Sequence, residues 1–203
     1  LEYDLRVFLR RTKNKIQMNL LRSYAFQMLA GINCLHTHRI LHRDIKPDNI
    51  LLNKEGYLKI CDFGLARIQE ENNLLSEYVS TRWYRAPEVL LQEYNYGPAI
   101  DIWSTGCVFY ELIMRRPMFP GKSSFDQIVQ IVTKIGSPKL EDIEYVTDPK
   151  ARKCVLSIEK RSNVDWKKLI SRGTSEEIDL IQKMLTWDPS KRISADEALE
   201  HPY

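Results

Sequence analysis

HRDIKPDNILL, residues 42–52, sets an acid, a base and an amide (Asp44, Lys46 and Asn49) into a short stretch between two apolar segments. Pro47 biases Lys46 toward an extended backbone, and in an extended chain alternate side chains share a face. Asp44 and Lys46 can therefore address one target, which marks a site. Upstream, from Asn19 to His38, Leu20, Leu21, Tyr24, Ala25, Met28, Leu29, Ile32 and Leu35 recur at helical spacing. A long amphipathic helix thus ends before the motif and leaves it on a loop. Downstream, the apolar runs NILLN and YLKIC, separated by the turn-like KEG, read as a small strand pair at the loop's exit.

The 203 residues, 43% of them hydrophobic, suffice to bury a core in one large domain or two small ones. A net charge of +3 and a pI near 8.6 make no electrostatic case for nucleic acid or an anionic membrane. The basic run RRTKNK at 10–15 lacks the interleaved aromatics of a single-strand binder and reads as a solvated helix end. Cys34, Cys61, Cys107 and Cys154 form no CxxC pair, which argues against a zinc knuckle or a disulfide framework and for a reducing compartment. His36, His38 and His42 cluster, but a helix end followed by a loop gives them no shared face, so a metal site is not expected there.

Asp62 to Glu88 has little periodicity and reads as a long ordered or switchable loop. Pro98 opens a helix, AIDIWSTGCVFYELIM, that is apolar on most sides and should be central and buried, closed by Arg115, Arg116 and Pro117. Three later helices carry capping-box pairs: Ser124 with Gln127, Thr174 with Glu177, and Ser194 with Glu197. The charged stretch between the first two reads as an irregular insertion on the surface. The expected fold is mainly α (α+β), with its polar motifs on loops at one end.

HRDIKPDN, then CDFG at 61–64, then APE at 86–88 match, in order and spacing, the signature set of protein kinases. With DIWSTG at 101–106 and KRIS at 191–194, the chain resembles the large, C-terminal lobe of a eukaryotic protein kinase over essentially its whole length, with the small lobe missing. The resemblance implies that Asp44 accepts or orients the proton of the substrate hydroxyl, and that Lys46 steadies the γ-phosphate of ATP. It further implies that Asn49 and Asp62 hold Mg²⁺ through hard oxygen ligands. It places Leu1, Asp4, Leu51 and Cys61 around the nucleotide, His42 in packing, Thr81 beside the catalytic Asp and Lys, and Glu88 with Arg192 in a buried ion pair.

SEYVSTRWYRAPEVLL at 76–91 is similar to the activation lip of mitogen-activated protein (MAP) kinases, extracellular-signal-regulated-kinase-like members of the CMGC group. That similarity makes Ser76, where the family usually has Thr, and Tyr78 phosphorylation sites. Arg43 and Arg67 would receive phospho-Ser76, and Arg82 and Arg85 phospho-Tyr78. It also assigns 1–5 to a hinge, 42–49 to a catalytic loop, 62–88 to an activation segment and 137–170 to a MAP-kinase-type insertion. The implied partners are proteins with Ser/Thr-Pro sites, an upstream dual-specificity kinase and phosphatases, in the cytoplasm or nucleus, with no nucleic acid and no membrane. Two readings follow: the catalytic large lobe of a serine/threonine kinase, or a truncated noncatalytic module that binds kinase substrates or regulators.

Overall fold

The computed structural model describes residues 2–12, 16–68, 81–93, 96–162 and 164–203. A two-residue strand β1 (Tyr3–Asp4) runs directly into helix α1 (Leu5–Arg11), whose first turn Asp4 caps by accepting from Val7 N at 2.7 Å. Helix α2 (Met18–Thr37) follows within a residue or so of its expected bounds and buries Leu21, Tyr24, Ala25, Met28, Leu29 and Ile32, the stripe its spacing demands.

After strand β2 (Ile40–Leu41) the motif loop closes in a 3-10 turn, Pro47–Asn49, and feeds β3 (Ile50–Leu52). The expected strand pair forms between β3 and β4 (Leu58–Ile60), antiparallel with Leu51 opposite Lys59. Three strands beyond that pair, β1, β2 and β5 (Arg67–Ile68), are not visible in the sequence. β1 adds to β3 with Asp4 opposite Leu51, and β5 pairs with β2. Strands of two residues are too short to show any alternation; their partners in space create them.

Of the segment after Asp62, the described residues form β5 and, further on, a 3-10 turn, Arg82–Tyr84, followed by α3 (Pro87–Leu90); residues 69–80 lie outside the described residues. Helix α4 (Ala99–Met114) is buried at every position from Ile100 to Met114, as its all-round apolarity requires. Gly106 lets it close on a later helix, because a Cβ there would lie 2.9 Å from Met184 Cβ. The helix ends where expected, with Arg115 as its C-cap in a left-handed conformation (φ 64°). The Arg115 guanidinium also donates to the carbonyls of Leu9 and Thr12.

Helix α5 (Ser124–Ile135) is capped one residue earlier than the sequence pattern indicated: Ser123 accepts from Asp126 N at 3.1 Å. Gln127 is released for a different task, described below. The 137–170 stretch is more regular than expected, with a 3-10 turn Leu140–Ile143, α6 (Pro149–Ser157) and α7 (Trp166–Leu169). Its helices are short and cap on Asp148 and Asp165, so charge hides their period. Helices α8 (Ser175–Met184) and α9 (Ala195–Leu199) carry the two remaining capping boxes, Thr174 with Glu177 and Ser194 with Glu197, as read. Among the described residues no helix is long and apolar enough to cross a membrane.

Candidate active site

The loop between β2 and β3 is held from beneath by one side chain. Asp101, wholly buried in the first turn of α4, accepts His42 N on Oδ2 at 2.9 Å and Arg43 N on Oδ1 at 2.8 Å. His36, from the last turn of α2, lies 3.0 Å from the same Oδ2. The clamp fixes Arg43 at φ 71°, a left-handed conformation that costs a non-glycine residue energy. Sequence reading quoted Asp101 only as part of DIWSTG and gave it no task. A carboxylate in the first turn of a mostly apolar helix is the available signal, since a buried charge needs partners.

Asp101→Asn is expected to cost about 3 kcal/mol, because the two backbone donors rest on different oxygens and the amide puts an NH2 donor in place of one of them, leaving a buried N–H without an acceptor. Chemical denaturation would measure the loss. Amide exchange should localise it to His42 and Arg43.

On this fixed turn the polar triad gathers. Lys46 Nζ stands 2.6 Å from Asp44 Oδ2, and Asn49 Nδ2 donates to Asp44 Oδ2 at 3.0 Å and to Asp44 O at 2.9 Å. Asp44 is 8% exposed and Asn49 5%, so the carboxylate is preorganised by a cation and an amide before any substrate arrives. His42 ties this loop to the DFG stretch. Its Nδ1 accepts Asp44 N and its Nε2 is 3.0 Å from Cys61 O, which assigns the neutral Nε2–H tautomer. Phe63 meets the same ring edge-on at 5.1 Å.

Cys61 N donates to Asn49 O at 2.9 Å, so Asp62 follows one residue beyond a direct link to Asn49. Asp62 is exposed, with φ 63°, and its Oδ1 accepts from Gly64 N at 3.3 Å. Asp62 and Asn49 thus offer carboxylate and amide oxygens of the kind Mg²⁺ takes, and this donor set fits that ion. Asp4 and half-buried Leu51 are cross-strand neighbours in one sheet, and Cys61 follows β4 directly, so three of the expected nucleotide-floor residues lie in or next to that sheet. Burial, with Asp62 and Asp4 behind it, pushes the Cys61 thiol up and keeps it protonated at neutral pH. Leu1 lies outside the described residues.

Thr81 is exposed and opens the 3-10 turn that leads to α3. The turn is anchored from behind by Gln127, which is fully buried: Nε2 donates to Trp83 O at 3.1 Å and Oε1 accepts Gly121 N at 2.9 Å. Trp83 Nε1 closes the ring on Gly121 O at 3.0 Å. Gly121 is obligatory here, as a Cβ would lie 2.6 Å from Gln127 Cα.

Glu88 meets Arg192 as read, and both are nearly inaccessible: Nη1 to Oε1 is 2.7 Å and Nη2 to Oε2 is 3.1 Å. Of the four arginines expected to receive phosphate, Arg43 is buried, with Nε on Tyr96 Oη at 3.1 Å and Nη1 on Leu65 O at 3.3 Å. Arg67 is exposed, Arg82 and Arg85 are half-buried, and the buried Nε of Arg82 has no hydrogen-bond partner among the described residues. Ser76 and Tyr78 lie outside the described residues.

A helical lobe that holds Asp, Lys and Asn on one clamped loop, with a second Asp stapled beside them, defines a class. The protein kinase domain family model matches residues 2–203, and the chain belongs to that family. Within it, the similarity to MAP kinases read from the activation lip is borne out. The chain is 50% identical over 181 residues to the mitogen-activated protein kinase homolog NTF3 of Nicotiana tabacum, covering 89% of this chain and 49% of that protein. Mitogen-activated protein kinase 2 of Arabidopsis thaliana and mitogen-activated protein kinase homolog 1 of Petunia hybrida are each 49% identical over the same length, which is 48% and 47% of those proteins. The chain spans about half the length of the curated relatives it matches.

Proposed function

We propose that this chain carries the large-lobe catalytic machinery of an ATP-dependent serine/threonine kinase of the MAP kinase type. The observation that carries the reading is the preorganised Asp44, gripped by Lys46 and Asn49 and linked through Cys61 to Asp62. Asp44 takes or orients the proton of the attacking hydroxyl, and Lys46, one bond away, steadies the phosphoryl group that the hydroxyl meets. Asn49 and Asp62 would hold Mg²⁺, which when bound neutralises charge on the phosphates. Asp4, Leu51 and Cys61 form a floor for the nucleotide, and Leu1 belongs to the same hinge, 1–5.

Residues 42–49 act as the catalytic loop, 62–88 as the activation segment, and 137–170 as the insertion found in this group. Thr81 would bring its hydroxyl to Asp44 and Lys46, and the anchored 82–88 stretch would accept the residue after the target, preferably Pro. Phosphorylation of Ser76 and Tyr78 by an upstream dual-specificity kinase would bring about four negative charges toward Arg43, Arg67, Arg82 and Arg85 and order the segment. Phosphatases would reverse it.

The test incubates the chain with Mg²⁺, ATP and matched Ser-Pro, Thr-Pro, Ser-Ala and Tyr-Pro peptides. Phosphate on Ser and Thr, with the Pro peptides preferred, is the expected result. Incorporation no higher than that of an Asp44→Asn control overturns the catalytic reading and leaves a binding module, while label on Tyr overturns the specificity.

A further inference from the structure

Asp48 is the acidic residue of the 42–52 stretch that the proposed chemistry leaves without a task, although it stands between Lys46 and Asn49. Arg6 of α1 grips both its oxygens, Nε on Oδ1 and Nη2 on Oδ2, at 2.7 Å each. Nη2 also reaches Tyr84 Oη at 3.4 Å, and that hydroxyl donates to Glu111 Oε2 at 2.7 Å. Helix α1, the catalytic loop, the 3-10 turn before α3 and the buried face of α4 thus converge on one guanidinium.

The recess is built for a cation. Two carboxylates and a phenol oxygen surround it, and Glu111 behind is only 6% exposed. Burial opposes the charge on Asp48, yet the hydrogen bonds from Arg6 outweigh it and hold that carboxyl below its usual range. Burial pushes the Glu111 carboxyl up, and it pushes the Tyr84 phenol up so that the hydroxyl stays a donor. The site is also reachable, since the side chains of Arg6 and Asp48 are 21% and 42% exposed. It lies between the catalytic loop and the 82–88 stretch, the two segments that a bound protein substrate would span.

We propose that Arg6 is a specificity-determining residue: it occupies the recess formed by Asp48, Tyr84 and Glu111 with the protein's own guanidinium and so excludes a basic side chain of the substrate. The inference rests on the kinase reading above. A substrate arginine would present the same planar fork to the same oxygens. With Arg6 in place it meets like charge and acceptors already taken, which is discrimination by repulsion. Removing Arg6 leaves the acids uncompensated beside the substrate path and turns exclusion into attraction.

The test compares wild type, Arg6→Ala, Arg6→Gln and the Arg6→Ala/Asp48→Asn double variant on Ser-Pro peptides in which one arginine is walked through the flanking positions, each against its alanine counterpart. Wild type should favour no arginine position. Arg6→Ala should raise the arginine-to-alanine ratio of kcat/KM about tenfold at one position, the size of a charged hydrogen bond. Arg6→Gln, which keeps the stem and an amide donor should the alanine variant fold poorly, should show the same gain in part, and the double variant should lose it. A flat ratio in both single variants overturns the proposal. If wild type and all variants phosphorylate no peptide, the kinase reading falls, and anisotropy of a labelled arginine peptide decides this inference separately: tighter binding by Arg6→Ala supports it and equal binding refutes it.

Discussion

Asp44→Asn should lower kcat for peptide phosphorylation by about two to four orders of magnitude, the range a positioned general base supplies. The substitution keeps the shape of the side chain and removes its charge. Asn49 Nδ2 retains Asp44 O as an acceptor, and Asp101 still holds His42 and Arg43, so the loop keeps its path. Lys46 loses its carboxylate partner, which changes the charge next to the phosphoryl group as well. Apparent affinity for ATP should move little, because in the proposed arrangement the nucleotide rests on Asp4, Leu51, Cys61 and Asp62. The measurement is steady-state kinetics in both substrates beside a thermal melt. A kcat within a factor of a few of wild type, with an unchanged melt, would remove Asp44 from the chemistry.

The second large effect is on stability. Arg192→Met should destabilise the chain by about 3–5 kcal/mol, the cost of leaving one member of a buried ion pair alone. Here Glu88, 2% exposed, would be the stranded charge. The guanidinium also donates to Ala99 O at 2.7 Å and to Thr186 O from Nε and Nη2 at 3.0 Å each, and it lies 5.1 Å over the Trp103 ring. Its removal therefore unpairs carbonyls at the start of α4 and in the loop after α8 in addition to the acid. For a domain of this size the melting temperature should fall by roughly 6–20 °C. Glu88→Gln/Arg192→Met should recover part of the loss, because no charge then remains buried without a partner. If the double variant is as unstable as the sum of the two single ones, the pair is not coupled and its role is packing alone.

This ion pair also reaches the site. Glu88 lies in the first turn of α3, just after the 82–84 turn, so a loosened Glu88 loosens the segment that carries Tyr84 and lies beside Arg6. The Arg192→Met variant should lose activity below its melting temperature, with KM for peptide rising more than KM for ATP.

How much was readable divides along a physical line. The α2 stripe, the buried α4, two of the capping boxes and the β3–β4 pair were legible because each is written within a few consecutive residues, by period or by turn chemistry. The triad Asp44, Lys46 and Asn49 was legible for the same reason, as its three members lie within six positions. The cap of α5 was misplaced because two serines adjoin, and only the competing demand of Gly121 and Trp83 for Gln127 selects Ser123. The insertion read as irregular since helices of four and nine residues with charged surfaces show no usable stripe. Arg115 closes α4 as read, but the carbonyls of Leu9 and Thr12 that its guanidinium reaches lie more than 100 positions away and were not legible.

The sequence alone determined which chemistry the loop can present, since an acid, an ammonium and an amide at that spacing on an extended turn have few other uses. Only the tertiary structure decided what holds them: Asp101 acting 58 and 59 residues away, Arg192 reaching Glu88 across 104, and Arg6 closing on Asp48 across 42. Short-range order is set by the dihedral and hydrogen-bonding preferences of neighbouring residues. The partner of a buried charge is set by which elements the core packs together, and no local pattern carries that information.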